Sequence, residues 1–232
     1  MNNSSTKQIV ATVVSLGVIL ASSGWIYFTQ FASPKINLPL HKAIGEVMAE
    51  ETSRLLGHKG SVIVLAIDPV AAPELQGQLD AFKQTLRRRA GITIKETEFL
   101  DTRNNPKFGA GRGLSGRRFL DVIKKHSTAD AIVSFVGAPN LSESDFAELG
   151  NTRLPRFIAE SGSAAKLRKL FDRKVLNVAI VARYQFPAPA QGTPKTPTEW
   201  FQKRFQIVTV ENADTLPGPG VQPSLEAAKS TR

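Results

Sequence analysis

Ser61–Ile67 reads SVIVLAI, Glu74–Gly91 reads ELQGQLDAFKQTLRRRAG and Ile92–Leu100 reads ITIKETEFL. The first stretch is a run of branched apolar residues without alternation, the pattern of a strand buried on both faces. In the second, Leu75, Leu79, Phe82 and Leu86 recur at spacings of four, three and four, which draws one apolar stripe along a helix. Gly91 stops that helix. The third stretch alternates, as a half-covered strand does. Strand, helix and strand in this order make a parallel unit, because parallel strands need a crossover and the crossover is right-handed. Asp68 is placed to cap the helix, with Pro69 at its first position.

The same grammar repeats downstream. Leu114–Lys125 reads as a helix with Phe119, Leu120 and Ile123 inward, and Ala131–Val136 as a third strand. Ser142 and Asp145 have capping-box spacing for a short helix. Arg156–Ala159 is a short fourth strand, Ala164, Leu167, Leu170 and Phe171 mark a helix, and Leu176–Ala182 is a fifth strand. Thr196, Pro197 and Glu199 open a last helix, and Phe205–Val210 is a sixth strand at an edge. The expected fold class is α/β: a mainly parallel Rossmann-like sheet with helices on both faces.

Upstream, His41–Leu56 reads as a helix stopped by Gly57, and the two prolines of residues 32–40 make a short stiff stalk. Ile9–Phe31 is a run of 23 residues without a formal charge. At about 1.5 Å per residue it is long enough to cross a bilayer core. Trp25 and Tyr27 sit where an interfacial anchor would. A cleaved signal peptide, with Ala21–Ser22–Ser23 as its small residues, is the alternative. The expected organisation is a polar tail over 1–8, a single transmembrane anchor over 9–31, the stalk over 32–40, an extracytoplasmic domain over 41–212 and a disordered tail over 213–232. Lys7 on one side of the span and Lys35 and Lys42 on the other leave the charge rule nearly tied, and signal-anchor behaviour places the domain outside the cytoplasm.

The units SVIVLAID, ELQGQLDAFKQTLRRRAG, ADAIVSFVGAP, RFIAESG and VLNVAIVAR together resemble one lobe of a type 1 periplasmic-binding-protein domain, over roughly residues 60–185. The resemblance implies a Rossmann-like lobe. That family holds a ligand between two lobes, and this chain has room for one.

The chain has 232 residues, 30 basic and 20 acidic, a formal charge of +10 and no cysteine. The absence of cysteine excludes disulfides, a thiolate nucleophile and a zinc–cysteine centre. The basic excess is local. Residues 103–125 hold seven basic residues against one acidic, and residues 153–174 hold seven against two. The candidate anion or partner contacts are Arg103, Lys107, Arg112, Arg117, Arg118, Arg153, Arg156, Lys166 and Lys169. They suit anionic lipid head groups, a protein of a larger membrane complex or a small anionic ligand. Nucleic acid is disfavoured, since no aromatic residues interleave with the charge.

Gly109, Gly111, Gly113 and Gly116 form a candidate glycine loop, of which Gly111–Gly116 reads GxGxxG. It follows the second strand after a long connection and not the first strand in a tight turn, so a dinucleotide site is not expected. The nearest ribose acid by spacing, Asp130, opens a strand instead of closing one. Ligands of open α/β sheets lie beyond the carboxyl ends of the strands, where Asp68, Asp101, Asn140, Glu160 and Arg183 are expected. His41, His58 and His126 form no ligand pair and read as ordinary surface or helix-end histidines. The proline-rich 185–197 loop is a candidate contact arm. No nucleophile–base pair, metal set or cofactor motif is recognisable. The expected function is that of a non-catalytic accessory or scaffolding subunit, anchored in the membrane through residues 9–31. A binding module for a small anionic ligand, and an enzyme using strand-end carboxylates such as Asp68, Asp101 or Glu160, are the alternatives.

Overall fold

The computed structural model describes residues 3–27, 37–68, 73–89, 91–100, 113–150, 152–161, 167–183 and 194–216, with the backbone alone for residues 3–11, 73 and 215. The candidates Asp101, Arg103, Lys107, Gly109, Gly111, Arg112 and Lys166, and most of the 185–197 loop, lie outside the described residues. The chain divides into two units, Met1–Ile36 and Asn37–Arg232.

The first unit is the helix α1, Asn3–Ile26. Its large apolar side chains, from Val13 to Tyr27, are exposed. The described residues of this unit stop at Tyr27, so Phe31, the expected end of the span, lies outside them. Among the described residues no helix is long and apolar enough to cross a membrane.

The second unit opens with α2, Leu38–Leu55. It begins three residues earlier than the spacing predicts and takes Leu38–Leu40 from the stalk. Asn37 is the reason: its side-chain oxygen accepts the Leu40 N–H at 3.2 Å, with Pro39 in the first turn. The elements β1 (Gly60–Ile67), α3 (Pro73–Arg87), β2 (Ile92–Leu100), α4 (Gly116–Lys125) and β3 (Ala131–Ser134) follow. Then come α5 (Glu143–Leu149), β4 (Arg156–Ser161), α6 (Leu167–Asp172), β5 (Val178–Ala182), α7 (Pro197–Arg204) and β6 (Phe205–Thr209).

The sheet has the order β2-β1-β3-β4-β5-β6. The first five strands are parallel and β6 is antiparallel to β5. Every residue of β1 from Ser61 to Ile67 is buried, which is why its sequence shows no alternation. Edge strand β2 is only partly covered, and it alternates. The reversal at β6 has a local cause. Ala182 at the end of β5 pairs with Phe205, the residue immediately after α7. Both ends of the connection therefore lie at the carboxyl end of the sheet, so the next strand runs the other way.

Right-handed crossovers put α3 over one face and α4, α5 and α6 over the other. Phe119 of α4 meets Phe157 of β4 edge to face at 5.1 Å, and Phe82 of α3 meets Phe135 after β3 at 5.4 Å. Helix α2 packs on α3 and α7.

Helix α3 is described from Pro73, and Pro69, expected at the first position of a helix capped by Asp68, lies outside the described residues. Two local expectations are corrected. Strand β3 ends at Ser134 and not at Val136. The Ser134 hydroxyl accepts the Val136 N–H and donates to the Gly137 carbonyl, which closes a turn. The disordered tail does not begin at Ala213. Residues Val210–Thr215 form a 3-10 helix on α6, and Ala213 and Leu216 are buried.

Candidate functional site

The site starts from two glycines inside helices. A Cβ on Gly45 of α2 would lie 2.1 Å from the Gln78 carbonyl oxygen, and one on Gly77 of α3 would lie 2.8 Å from Leu38 Cδ1. Only hydrogen at Gly45 lets α2 and α3 cross this closely, since its neighbour is backbone, whereas at Gly77 the neighbour is the tip of the Leu38 side chain. The crossing buries Gln78 to 2% exposure. Gln78 Nε2 lies 3.1 Å from His41 Nδ1 and 3.5 Å from Glu160 Oε1. The first contact assigns Nδ1 of His41 as the acceptor, with the ring proton on Nε2. Gln78 Oε1 is buried with no hydrogen-bond partner. Such an oxygen costs about 1–3 kcal/mol to bury.

Glu160 stands one residue from the end of β4, half-buried, at the carboxyl end of the sheet. Phe157 faces α4, so by strand alternation Glu160 faces α2 and α3. Burial pushes its carboxyl up to about 7; the Gln78 amide opposes this and Glu74 adds to it. Burial lowers His41, against a smaller opposing effect of Glu74. Glu74 belongs to the first turn of α3. Among the described residues, no lysine or arginine acts on Glu160 or His41. Of these four residues the sequence singled out Glu160 for its strand-end position. Gln78 and Glu74 were missed, and His41 read as an ordinary histidine. The available signal was Gly45 and Gly77, glycines inside helical patterns that mark a close approach.

Among the described basic candidates, Arg118 and Lys169 are paired with acids, and Arg117, Arg153 and Arg156 are exposed. Arg118 Nη2 donates to Glu98 Oε1 on β2 at 2.6 Å. Lys125 Nζ reaches Glu98 Oε2 at 2.9 Å and Glu96 Oε1 at 3.1 Å, and Lys124 reaches Glu148 of α5 at 2.7 Å. Lys169 pairs with Glu143 of α5 at 2.5 Å and lies over the Phe146 ring. Arg153 and Arg156 are exposed near the amino end of β4, where the Arg156 N–H meets the Asp130 carbonyl. Arg117 is exposed on α4. The acids that answer these bases come from β2 and α5, outside both basic segments.

His126 is not a surface histidine: it is 6% exposed, with Nε2 2.9 Å from Glu98 Oε2. Glu96, Glu98 and His126 bring ligand-type atoms within 4.8 Å of one another. Both carboxylates already accept the Lys125 ammonium, which makes the group an ion network joining α4 to β2. Burial raises Glu98, and hydrogen bonds from His126 and Lys125 with the charges of Lys125 and Arg118 outweigh it, so its carboxyl is held below the usual range.

The described part of the glycine loop packs tightly. A Cβ on Gly113, at φ +79°, would lie 2.0 Å from the Ala138 carbonyl oxygen. One on Gly116 would lie 2.2 Å from Asp145 Oδ2. A carboxylate already occupies the approach to the start of α4, where an anion would have to sit. Asp130, considered for a ribose, lies at the opposite end of the sheet from the carboxyl ends. It accepts the Ser61 N–H and hydroxyl, each at 2.8 Å.

No protein-family model matches the sequence, and no curated protein matches it. Solved structures share its fold. AraP, an arabinose-binding protein from Geobacillus stearothermophilus, superposes with a TM-score of 0.51 at 12% identity, over 76% of this chain and 63% of that one. A sugar-binding protein of a sugar ABC transporter from Bacillus halodurans gives 0.51 at 16% identity, over 76% and 64%. The chain spans less than two thirds of either protein's length. The fold is therefore similar to that of solute-binding proteins, as the resemblance in the strand–helix units implied.

Proposed function

We propose that the Asn37–Arg232 unit is a non-catalytic binding module for a small polar ligand, taken at the carboxyl end of its sheet and held at a membrane outside the cytoplasm. The observation that carries this reading is the half-buried Glu160 beside the orphaned amide oxygen of Gln78 at a strand end. Folding leaves these groups unsatisfied where open α/β sheets take their ligands. The solute-binding fold supports the same reading. The docking role expected from the two basic segments is supported less well than the binding module, since of its candidates Arg118 and Lys169 already pair with acids of β2 and α5. An anionic ligand is disfavoured by the two carboxylates, Glu160 and Glu74.

The membrane anchor rests on the 23 uncharged residues Ile9–Phe31. It is also supported by the exposure of large apolar side chains along the described part of α1. A helix apolar all round is at home in lipid.

Thermal denaturation of the full chain in detergent, with millimolar polyols, carboxylates and primary amines, tests the module. A ligand that binds only the native state, present at 100 times its Kd, adds about 2.7 kcal/mol. For a chain of this size that raises Tm by roughly 5–10 °C. No shift with any of the three classes would rule the reading out.

A further inference from the structure

Around Glu160 the carboxyl end of β4 collects hydrogen-bond acceptors, while Arg183, the described cation after β5, donates its Nε–H to the Gln202 carbonyl at 2.7 Å. Gln78 Oε1 is buried and unpaired. The same amide reaches Glu160 through Nε2 at 3.5 Å. Glu74 acts on both Glu160 and His41 from the first turn of α3. Around Glu160, α2 supplies His41, α3 supplies Glu74 and Gln78, and β5 supplies the apolar Ile180 as its register partner. Glu160 keeps partial access to solvent, so a ligand can reach it.

Each ligand class meets these groups differently. An anion faces two carboxylates. A neutral hydroxyl satisfies Gln78 Oε1 but leaves the Glu160 charge without an opposite. A protonated primary amine brings three donors and one positive charge in a compact head. It fills the orphaned acceptor and pairs the carboxylate in one step.

We propose that Gln78 Oε1 and Glu160 form a receptor for the head group of a small organic ammonium ion. This rests on reading the carboxyl end of the sheet as the ligand site, and it names the class of ligand.

The pairing needs Glu160 ionised, while burial in the free protein holds its carboxyl up to about 7. Binding therefore expels the Glu160 proton to solvent. The fraction of competent protein is about one tenth at pH 6 and nine tenths at pH 8. The amine stays protonated across this range.

Isothermal titration of the full detergent-solubilised chain with putrescine and with ethanolamine, at pH 6 and pH 8, tests the proposal. The expected results are binding about tenfold tighter at pH 8, release of nearly one proton at pH 6 in buffers of different ionisation enthalpy, and loss of the pH dependence in Glu160→Gln. Equal affinity at both pH values in the native chain overturns the proposal, and that measurement needs no variant. Stabilisation by sorbitol with none by either amine also overturns it, yet leaves the binding module standing. Silence from amines, polyols and carboxylates alike removes both.

Discussion

Gly45 of α2 stands so close to Gln78 of α3 that a methyl group there would lie 2.1 Å from the Gln78 carbonyl oxygen. The neighbour is backbone and cannot swing aside, so the two helices would have to part. Gly45→Ala is expected to cost about 3 kcal/mol, at the upper end for overpacked positions. It should also loosen the burial of Gln78. Chemical denaturation measures the first effect, and the loss of any ligand-induced Tm shift measures the second.

Glu160 predicts a pH slope of opposite sign to that of a paired carboxylate. Its folded value is about 7 against an ordinary 4.5, so the native state holds a proton that the unfolded chain has released. Stability is full below about 4.5, falls as pH rises to about 7 and is flat beyond. The fall amounts to about 3 kcal/mol. Glu160→Gln should remove this slope and leave the protein more stable than the native chain at pH 8. Denaturation midpoints at pH 5 and pH 8 decide it, and an unchanged slope in the variant would contradict the account.

Glu98 behaves the other way. Its carboxyl is held below the usual range, so its contribution is present above the unfolded value and lost as pH falls through the folded one. Glu98→Ala leaves Lys125, Arg118 and the buried His126 without their shared acceptor. A loss of about 1–3 kcal/mol is expected, greater than for an exposed pair such as Lys124 with Glu148. Comparing Glu98→Ala with Glu148→Ala by thermal denaturation at pH 7 checks the difference.

Deleting residues 1–36 should move the protein from the membrane fraction to the soluble fraction. Asn37–Arg232 is a compact unit with its own core, so its Tm should change by only a few degrees. A deleted chain that stays with the membrane would contradict anchoring through residues 9–31.

Gly113 tests the reading of the glycine loop as packing. Its φ is +79°, and a Cβ would lie 2.0 Å from the Ala138 carbonyl oxygen. Gly113→Ala should destabilise the protein by about 2 kcal/mol or more, because strain and overlap act together. Inorganic phosphate should protect neither the variant nor the native chain in thermal denaturation.

Strand and helix identities were legible from local pattern. A continuous apolar run marked β1, periodicity marked β2, α3 and α4, and capping spacing marked α5 and α7, because each signal lies within one element. The departures came at element ends: Asn37–Pro39 opened α2 early, and Ser134 closed β3 early through its own hydroxyl. Strand-end position picked out Glu160. Gln78 could not be found that way, since a glutamine on a helix is ordinarily exposed and becomes buried only when a second helix crosses at Gly45.

The amino-acid sequence by itself determined the order of strands and helices, the parallel sheet and the uncharged run near the N-terminus. These depend on residue spacing along the chain, and spacing needs no partner. Tertiary structure alone decided where the charges lie and which polar groups remain unsatisfied. Five bases of the two segments that are basic along the chain, Arg118, Lys124, Lys125, Lys169 and Arg173, are answered by Glu96, Glu98, Glu143 and Glu148, brought over on β2 and α5. Among the described residues, Glu160 is surrounded by acceptors although the whole chain carries +10. Charge and hydrogen bonding act over a few ångströms of space, and folding sets those distances whatever the separation in sequence.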